Sequence, residues 1–380
     1  MITTNFTYII LNLLMMFVFV KAGEQISKYP KNYWKYAWWC IIAFTFILGL
    51  RYGRGNDYMH YIDVYKHDLE HNQLLFTAFN HWLKQLGVGA HYIFLYYSFI
   101  YITCAMVFLK DFRRYARWIL PLFLIAFTIF SEYVIRQALG FSFIFIFLKV
   151  LTNRKKTVKE KIPLLLLYAI LATSIHSANA LSVIVFTLIY IGIKKPIPPK
   201  ISIPLFIIAS YFFMEFFNWN WLTPALSVLG DSSNQFSGYV ENVDRWFSSD
   251  AMNESYVRNS IVKVFQTAGE CSLLYLGYKV ISYYNNKRFI FLFNVYVFGT
   301  ILQQSFYTVE LLRRMANTLY CFWPFTLTII LLHHKHLWRG DWKRKKLPLI
   351  CLSFFIYEYL KYLFLRDKGM YEFIWDSQFF

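Results

Sequence analysis

The chain has 380 residues, of which 58% are hydrophobic, 22% are aromatic and only 16% are charged. A soluble globular domain carries about 25% charged residues, and here the apolar residues form long blocks instead of periodic stripes. This composition excludes a soluble enzyme, a disordered protein and a nucleic-acid-binding protein. The net charge of +18 must therefore be explained by where the basic residues lie.

Twelve apolar segments have the length of a membrane-spanning helix, for which roughly 17–25 residues are needed. They predict an all-α polytopic integral membrane protein with about 12 transmembrane helices, because lipid admits only helices and closed barrels and no alternating β pattern is present. Residues 1–380 are expected to form a single transmembrane domain. The predicted spans are 4–20, 36–50, 91–109, 117–131, 134–150, 162–174, 177–193, 201–217, 260–281, 288–306, 315–332 and 347–364.

The segments between the spans alternate in charge. One set holds 26 of the 39 Lys and Arg residues against four acidic residues, whereas the rest of the chain has 13 basic and 17 acidic residues. By the positive-inside rule the basic set faces the cytoplasm, so both termini are expected outside. The basic set consists of 21–35, 110–117, 149–161, 194–200, 279–288 and 335–346.

Two segments on the predicted outer side are long, 51–90 and 218–259. The first contains an apolar pattern of helical spacing, which predicts an amphipathic helix on the outer leaflet that serves as a brace or as a substrate gate. The second places aromatic rings such as Tyr239 and Trp246 among polar side chains, which fits either a glycan-facing loop or an interfacial aromatic belt. The apolar pattern consists of Leu75, Phe79, Trp82, Leu83 and Leu86.

Several arginines lie near the outer ends of the predicted spans, where the positive-inside rule disfavours them. A guanidinium group is a planar fork that binds phosphate through two hydrogen bonds, and some of these arginines open helices, whose N-termini favour anions. A single arginine of this kind can also reach outward to lipid phosphates. As a set, they predict a site for an anion with several oxygens: Arg51, Arg54, Arg136, Arg258, Arg313 and Arg314.

His176 lies between the sixth and seventh predicted spans on the outer side. A histidine there can act as a general base or can be a hydrogen-bonded packing residue, and both interpretations stay open. The sequence has no Walker A loop, no G-x-G-x-x-G, no H-E-x-x-H and no D-x-D pair. No cofactor is expected, and the chemistry is expected to be independent of metal.

The outer end of the second span carries Arg51-Tyr52-Gly53-x-Gly55-x-Asp57-Tyr58-x-x-Tyr61. This segment resembles the R-Y-G-x-G-x-D-Y-x-x-Y motif of the EpsG family of Wzy-like polymerases of bacterial surface polysaccharides. Ile135-Arg136-Gln137-Ala138 resembles the family's I-R-Q motif, and His176-Ser177-Ala178 resembles its histidine between two spans. Gly140 departs from the alanine that the family often has at this place.

The resemblance implies a GT-C-like glycosyltransferase in the bacterial inner membrane, with its active site on the outer side. Its donor and acceptor would be oligosaccharide repeat units on undecaprenyl diphosphate, and a chain-length regulator is a possible partner. The arginines above would hold the diphosphate, and His176, with Asp57 or Glu310 as substitutes, would be the base. Glycan contacts are expected from Tyr58, Tyr61, Gln137, Tyr239 and Trp246.

Two other functions share many of these features. A WaaL-like glycan ligase would use the same lipid-linked donor with a different acceptor. A flippase or transporter of lipid-linked glycans would place charged residues through the bilayer midplane and would show related halves, and no clear internal repeat is present.

Overall fold

The computed structural model describes residues 2–55, 57–68, 73–213, 260–307, 310–337, 342–365 and 372–373. The predicted all-α class is confirmed for these residues, because only two strands of two residues each, β1 (Arg51–Tyr52) and β2 (Glu372–Phe373), accompany the helices. The helices before residue 214 are α1 (Ile2–Lys28), α2 (Tyr33–Gly49), α3 (Tyr58–His67), α4 (Leu74–Gln85), α5 (Ile93–Leu109), α6 (Ala116–Tyr133), α7 (Ile135–Leu151), α8 (Val158–Ile175), α9 (Asn179–Gly192) and α10 (Pro199–Ile208). The later helices are α11 (Ser260–Tyr284), α12 (Lys287–Ser305), α13 (Glu310–Tyr320), α14 (Trp323–Leu337) and α15 (Trp342–Leu365).

The eleventh predicted span, 315–332, falls within the helical stretch Leu312–His333 but contains a break. The structure has two helices there, α13 and α14, separated by a turn at Cys321 and Phe322. Pro324 lies in the first turn of α14 and has no N–H to donate to the carbonyl of Tyr320, the last residue of α13. The apolar composition runs through this break, so hydropathy alone predicts a continuous helix.

Three helical stretches of the described residues are long and apolar enough to cross a membrane: Phe6–Lys28, Ala90–Tyr133 and Leu312–His333. Three shorter apolar helices are Asn179–Gly192, Pro199–Phe212 and Pro348–Leu360. These helices indicate a membrane protein. The number of twelve spans and their orientation stay predictions.

The chain packs into two compact units, one formed by Met1–Thr187 with Phe355–Phe380 and the other by Leu188–Phe354. This division does not test the expectation that residues 1–380 form a single transmembrane domain, which stays a prediction. In the first unit, α1 packs on α6, α2 on α5, and α7 on both α5 and α8.

One end of the first unit gathers three loops that the charge pattern assigns to the cytoplasm. The backbone N–H of Arg117 donates to Ser27 Oγ at 2.8 Å, and Lys149 Nζ donates to the carbonyl of Val107 at 2.7 Å. Gly23 lies so close to Ala116 that an added Cβ would be 2.6 Å from its carbonyl oxygen. Loops predicted to share a side of the membrane therefore share an end of this unit.

In the second unit a buried carboxylate joins three helices. Glu270 of α11 is fully buried and accepts hydrogen bonds from the hydroxyls of Tyr296, Thr300 and Tyr320, at 3.2 Å from Thr300 and 2.7 Å from Tyr320. Gly299 lets α12 approach α13, since an added Cβ would strike the backbone of Tyr320. These contacts fix α13, the helix that carries Arg313 and Arg314.

The amphipathic helix predicted in 51–90 is present as α4, but its apolar residues do not form one buried face. The buried side chains are Phe76, Asn80 and Leu83, whereas Trp82 is 51% and Leu86 is 59% exposed. Asn80 is accommodated because the hydroxyl of Tyr97 donates to its side-chain oxygen. Leu75 and Phe79 are partly buried against the core beneath the helix.

Candidate functional site

The R-Y-G-x-G segment forms a tight loop at the end of α2. Gly53 has φ +71° and Gly55 has φ +108°, backbone conformations that strongly favour glycine. An added Cβ on Gly55 would lie 2.5 Å from the carbonyl oxygen of Glu132, near the end of α6. The two glycines therefore allow the loop to turn and to touch α6.

Arg51 folds back onto the helix that it follows. Its Nε donates to the carbonyl of Arg54 at 3.1 Å, and a terminal nitrogen donates to the carbonyl of Leu48 in the last turn of α2. Its guanidinium carbon is 5.8 Å from the ring centre of Tyr58 and 5.6 Å from that of Phe94. Arg51 therefore caps a helix C-terminus, where a cation is favourable.

Glu132 neutralises part of the charge of this loop. Its Oε1 lies 3.0 Å from Arg54 Nε and 3.8 Å from Arg51 Nε, and all three side chains are at most 3% exposed. Tyr8 donates its hydroxyl to Oε2 at 3.2 Å, and the guanidinium carbon of Arg54 lies 3.7 Å from the centre of the Tyr8 ring. Two buried cations thus share one buried carboxylate, an arrangement that a missing partner would destabilise strongly.

Arg136 has a different environment from Arg51 and Arg54. Only Val134 separates α6 from α7, and Arg136 is the second residue of α7. Its guanidinium carbon lies 5.7 Å from the ring centre of Phe76, and its side chain is half-buried. Among the residues that the structure describes, it forms no ion pair and its Nε has no hydrogen-bond partner. A half-buried cation in the first turn of a helix is suited to an anionic ligand.

His176 forms the turn between α8 and α9. Its backbone N–H donates to the carbonyl of Ala172 at 3.2 Å, and its carbonyl accepts from the N–H of Asn179 at 3.0 Å. The residue before α4 contacts this turn, since Gln73 Nε2 donates to Ser177 Oγ at 3.4 Å. His176 itself is half-buried.

The start of α4 connects the surroundings of Arg136 and His176. Phe76 contacts Arg136, and Gln73, three residues earlier, contacts the residue after His176. Their chain neighbours Ile135 and Ile175 lie in one buried cluster with Phe76. The structure therefore brings the I-R-Q segment, the histidine turn and α4 around one core at one end of the first unit.

Asn179 fixes the spacing between α7 and α8. Its side-chain nitrogen donates to the carbonyls of Gln137 and Ala172, both at 3.3 Å, and the side chain is fully buried. An added Cβ on Gly140 would strike this nitrogen and lie 2.8 Å from the carbonyl oxygen of Ala172. The departure from alanine at Gly140 thus has a steric reason.

The predicted glycan-binding tyrosines lie in the core of this region. Tyr58 is fully buried and stacks on Phe94 with ring centres 4.2 Å apart, and Tyr61 is 6% exposed and packs on Phe76. Burial raises the pKa of the Tyr58 phenol, and the nearby Arg51 offsets only part of this effect. The neutral phenol therefore serves packing, and glycan contact by either ring stays a prediction.

Gln137 and Asp57 lie beside the same core. The Gln137 side chain is 4% exposed, and its nitrogen has no hydrogen-bond partner within the described part of the chain. Asp57 precedes α3, is half-buried and does not cap that helix with its side chain. The predicted roles of Gln137 in glycan binding and of Asp57 as an alternative base are untested.

The remaining predicted residues lie in the second unit or outside the described residues. Arg313 and Arg314 lie half-buried on α13 in the second unit, where the guanidinium carbon of Arg313 is 5.6 Å from the ring centre of Tyr307. Glu310 begins α13, and its side chain lies outside the described residues. Arg258, Tyr239 and Trp246, with the whole of 218–259, also lie outside them.

The sequence does not single out three residues beside the candidate site: Glu132, Phe76 and Asn179. Glu132 had one visible signal, as an acidic residue at the end of an apolar span just before the I-R-Q segment. Phe76 and Asn179 look like ordinary helix residues, because their partners are distant in sequence. No group of three His, Cys, Asp or Glu side chains able to hold a metal ion occurs in the described ranges, and metal independence stays a prediction.

The comparisons with known proteins agree with the resemblance carried by these motifs. The EpsG family matches residues 34–375, a stretch that includes the R-Y-G-x-G loop, the I-R-Q segment and the histidine turn. No curated protein and no solved structure matches the chain. Because the match covers most of the chain, the protein belongs to the EpsG family, which is associated with exopolysaccharide biosynthesis.

Proposed function

We propose that this protein is a membrane glycosyltransferase that polymerises oligosaccharide repeat units carried on undecaprenyl diphosphate. The proposal includes about twelve spans in the bacterial inner membrane, with both termini and the active site on the outer side. Family membership and the candidate membrane spans support it. In each step a sugar hydroxyl of the acceptor attacks the anomeric carbon of the donor, and the bond from that carbon to the diphosphate breaks.

The observation that carries the proposal is the contrast between Arg136 and its arginine neighbours. Arg51 and Arg54 are buried against Glu132, whereas Arg136 is half-buried and forms no ion pair with any described residue. A diphosphate leaving group gains negative charge as its bond to the sugar breaks. A prepositioned guanidinium group stabilises such charge in the transition state, and this suits Arg136 to the leaving group.

His176 is the proposed base. It would accept the proton of the attacking hydroxyl, so that the new glycosidic bond forms as the lipid diphosphate leaves. The backbone of His176 is held at the end of α8 by bonds to Ala172 and Asn179, which restricts where its ring can point. Phe76 of α4 contacts Arg136, and Gln73, which precedes α4, contacts Ser177 beside His176.

The test uses the purified protein in proteoliposomes with its repeat-unit lipid. A ladder of polymer lengths supports a polymerase, whereas consumption of the lipid without a ladder contradicts it and favours a ligase. Arg136→Ala is expected to lower the rate by about 10²–10³, the usual loss of a transition-state hydrogen-bond donor. Arg136→Lys should recover only part of the rate, because an ammonium group cannot make the paired contacts.

Arg117→Ala is a matched control. Arg117 is also the second residue of its helix and also contacts an aromatic ring, at 5.9 Å from the ring centre of Trp118, but it lies at the opposite end of α6 and is exposed. It should keep the wild-type rate. Normal polymerisation by a folded Arg136→Ala protein would exclude the proposed role of this residue.

A further inference from the structure

An apolar groove of about 600 Å³ lies in the second unit. It is formed by the end of α9, the loop that follows, the start of α10 and the middle of α12. Its volume falls within the ~300–1,000 Å³ typical of ligand pockets. Its lining includes Lys194, Lys195, Ser202, Leu205, Val297 and Ile301.

The loop over the groove is held in a defined conformation. Asn294 of α12 is fully buried, its Oδ1 accepts from the N–H of Ile197 at 3.0 Å, and its Nδ2 donates to the carbonyl of Lys195 at 3.0 Å. Pro196 and Pro198 on either side of Ile197 restrict the loop further. The groove therefore has a defined shape, because hydrogen bonds and two prolines hold the loop beside it.

Two exposed lysines, Lys194 and Lys195, lie on the loop at one end of the groove. They belong to the 194–200 segment, whose three lysines place it on the predicted cytoplasmic side. From this loop the groove follows α10 as far as Leu205, roughly 10 Å at ~1.5 Å per residue. A positive end joined to an apolar channel matches a molecule that has an anionic head and a hydrocarbon tail.

We propose that this groove binds one acyl chain of an anionic phospholipid, with the phosphate at Lys194 and Lys195. The site shares no residue with the proposed catalytic site and does not depend on the polymerase assignment. It would make the second unit sensitive to the anionic lipid content of the membrane.

The test is lipid titration of the full-length protein, followed by native mass spectrometry. The probes are phosphatidylglycerol and phosphatidylcholine with identical acyl chains. One phosphatidylglycerol should be retained in preference to phosphatidylcholine. Lys194→Ala and Lys195→Ala should each weaken the binding of phosphatidylglycerol about fivefold, the usual effect of one lysine near an anionic lipid. Neither variant should change the binding of phosphatidylcholine.

One further variant separates the tail from the head. Ile301→Trp, which fills the groove, should weaken the binding of both lipids. Lys200→Ala is the matched control, since Lys200 is an exposed lysine of the same segment that does not line the groove. Equal retention of the two lipids, an unchanged titration for Ile301→Trp, or full competition by glycerol 3-phosphate would overturn the proposal.

Discussion

Arg54 Nε lies 3.0 Å from Glu132 Oε1, and both side chains are almost completely buried. Neither atom has hydrogen-bonding geometry with its partner, so this contact is ionic. It joins the loop after α2 to the end of α6, three residues before the first residue of α7. The same carboxylate that compensates two structural arginines therefore fixes the place from which Arg136 projects.

Glu132→Gln is expected to destabilise the protein by roughly 3–5 kcal/mol, because it leaves Arg51 and Arg54 buried without a countercharge. Thermal unfolding in detergent measures this effect. Glu24→Gln is the control, since Glu24 pairs with Lys21 at an exposed position and such pairs contribute at most about 1 kcal/mol. Equal melting temperatures for the two variants would show that the buried ion cluster is unimportant for stability.

Gly55→Ala is expected to lower stability and polymerisation together. The new Cβ would be strained at φ +108° and would lie 2.5 Å from the carbonyl oxygen of Glu132. Gly87→Ala separates these two causes, because Gly87 has φ +73° but nothing within 4 Å of an added Cβ. Backbone strain alone costs about 1–2 kcal/mol, so Gly55→Ala should unfold at a clearly lower temperature than Gly87→Ala.

Gly140→Ala should also be destabilising, although the substitution normally favours a helix by about 1 kcal/mol. The added methyl group would strike the Asn179 amide and the carbonyl of Ala172. Gly192→Ala is the control, since an added Cβ there meets no atom within 4 Å. If Gly140→Ala melts at or above the wild-type temperature, the close approach of α7 and α8 is not a constraint on this position.

His176→Gln is expected to lower the polymerisation rate by about 10²–10⁴, the usual contribution of a general base. Glutamine keeps a polar side chain of similar length, so the helical content and the melting temperature should change little. His60→Gln, an exposed histidine of α3, serves as the control. If a folded His176→Gln protein kept the wild-type rate, another residue would have to act as the base. Asp57 would then be the next residue to substitute.

The helices were the most predictable part of this protein. Long apolar blocks bounded by basic loops predict α5, α6, α7 and α12 within a few residues, because a bilayer sets the length of a span. The break between α13 and α14 was missed, since it depends on one missing N–H at Pro324 and not on composition.

The candidate site was predictable in its residues more than in their roles. Arg51, Arg54 and Arg136 carry the same charge and lie at similar predicted depths, so the sequence treats them alike. The structure distinguishes them through Glu132, which is 81 residues from Arg51 along the chain. Such a tertiary pair has no local pattern, and the burial of Tyr58 and Tyr61 is hidden for the same reason.

The pairing of Arg51 and Tyr52 with Phe373 and Glu372 has a consequence for biogenesis. These two strands are separated by about 320 positions, so the R-Y-G-x-G loop acquires its last backbone partner only after nearly all of the described chain has been synthesised. Contacts of such long sequence separation form late and slowly. During translation this end of the first unit would remain incomplete, which would delay assembly of the candidate site until the helices before β2 have been synthesised.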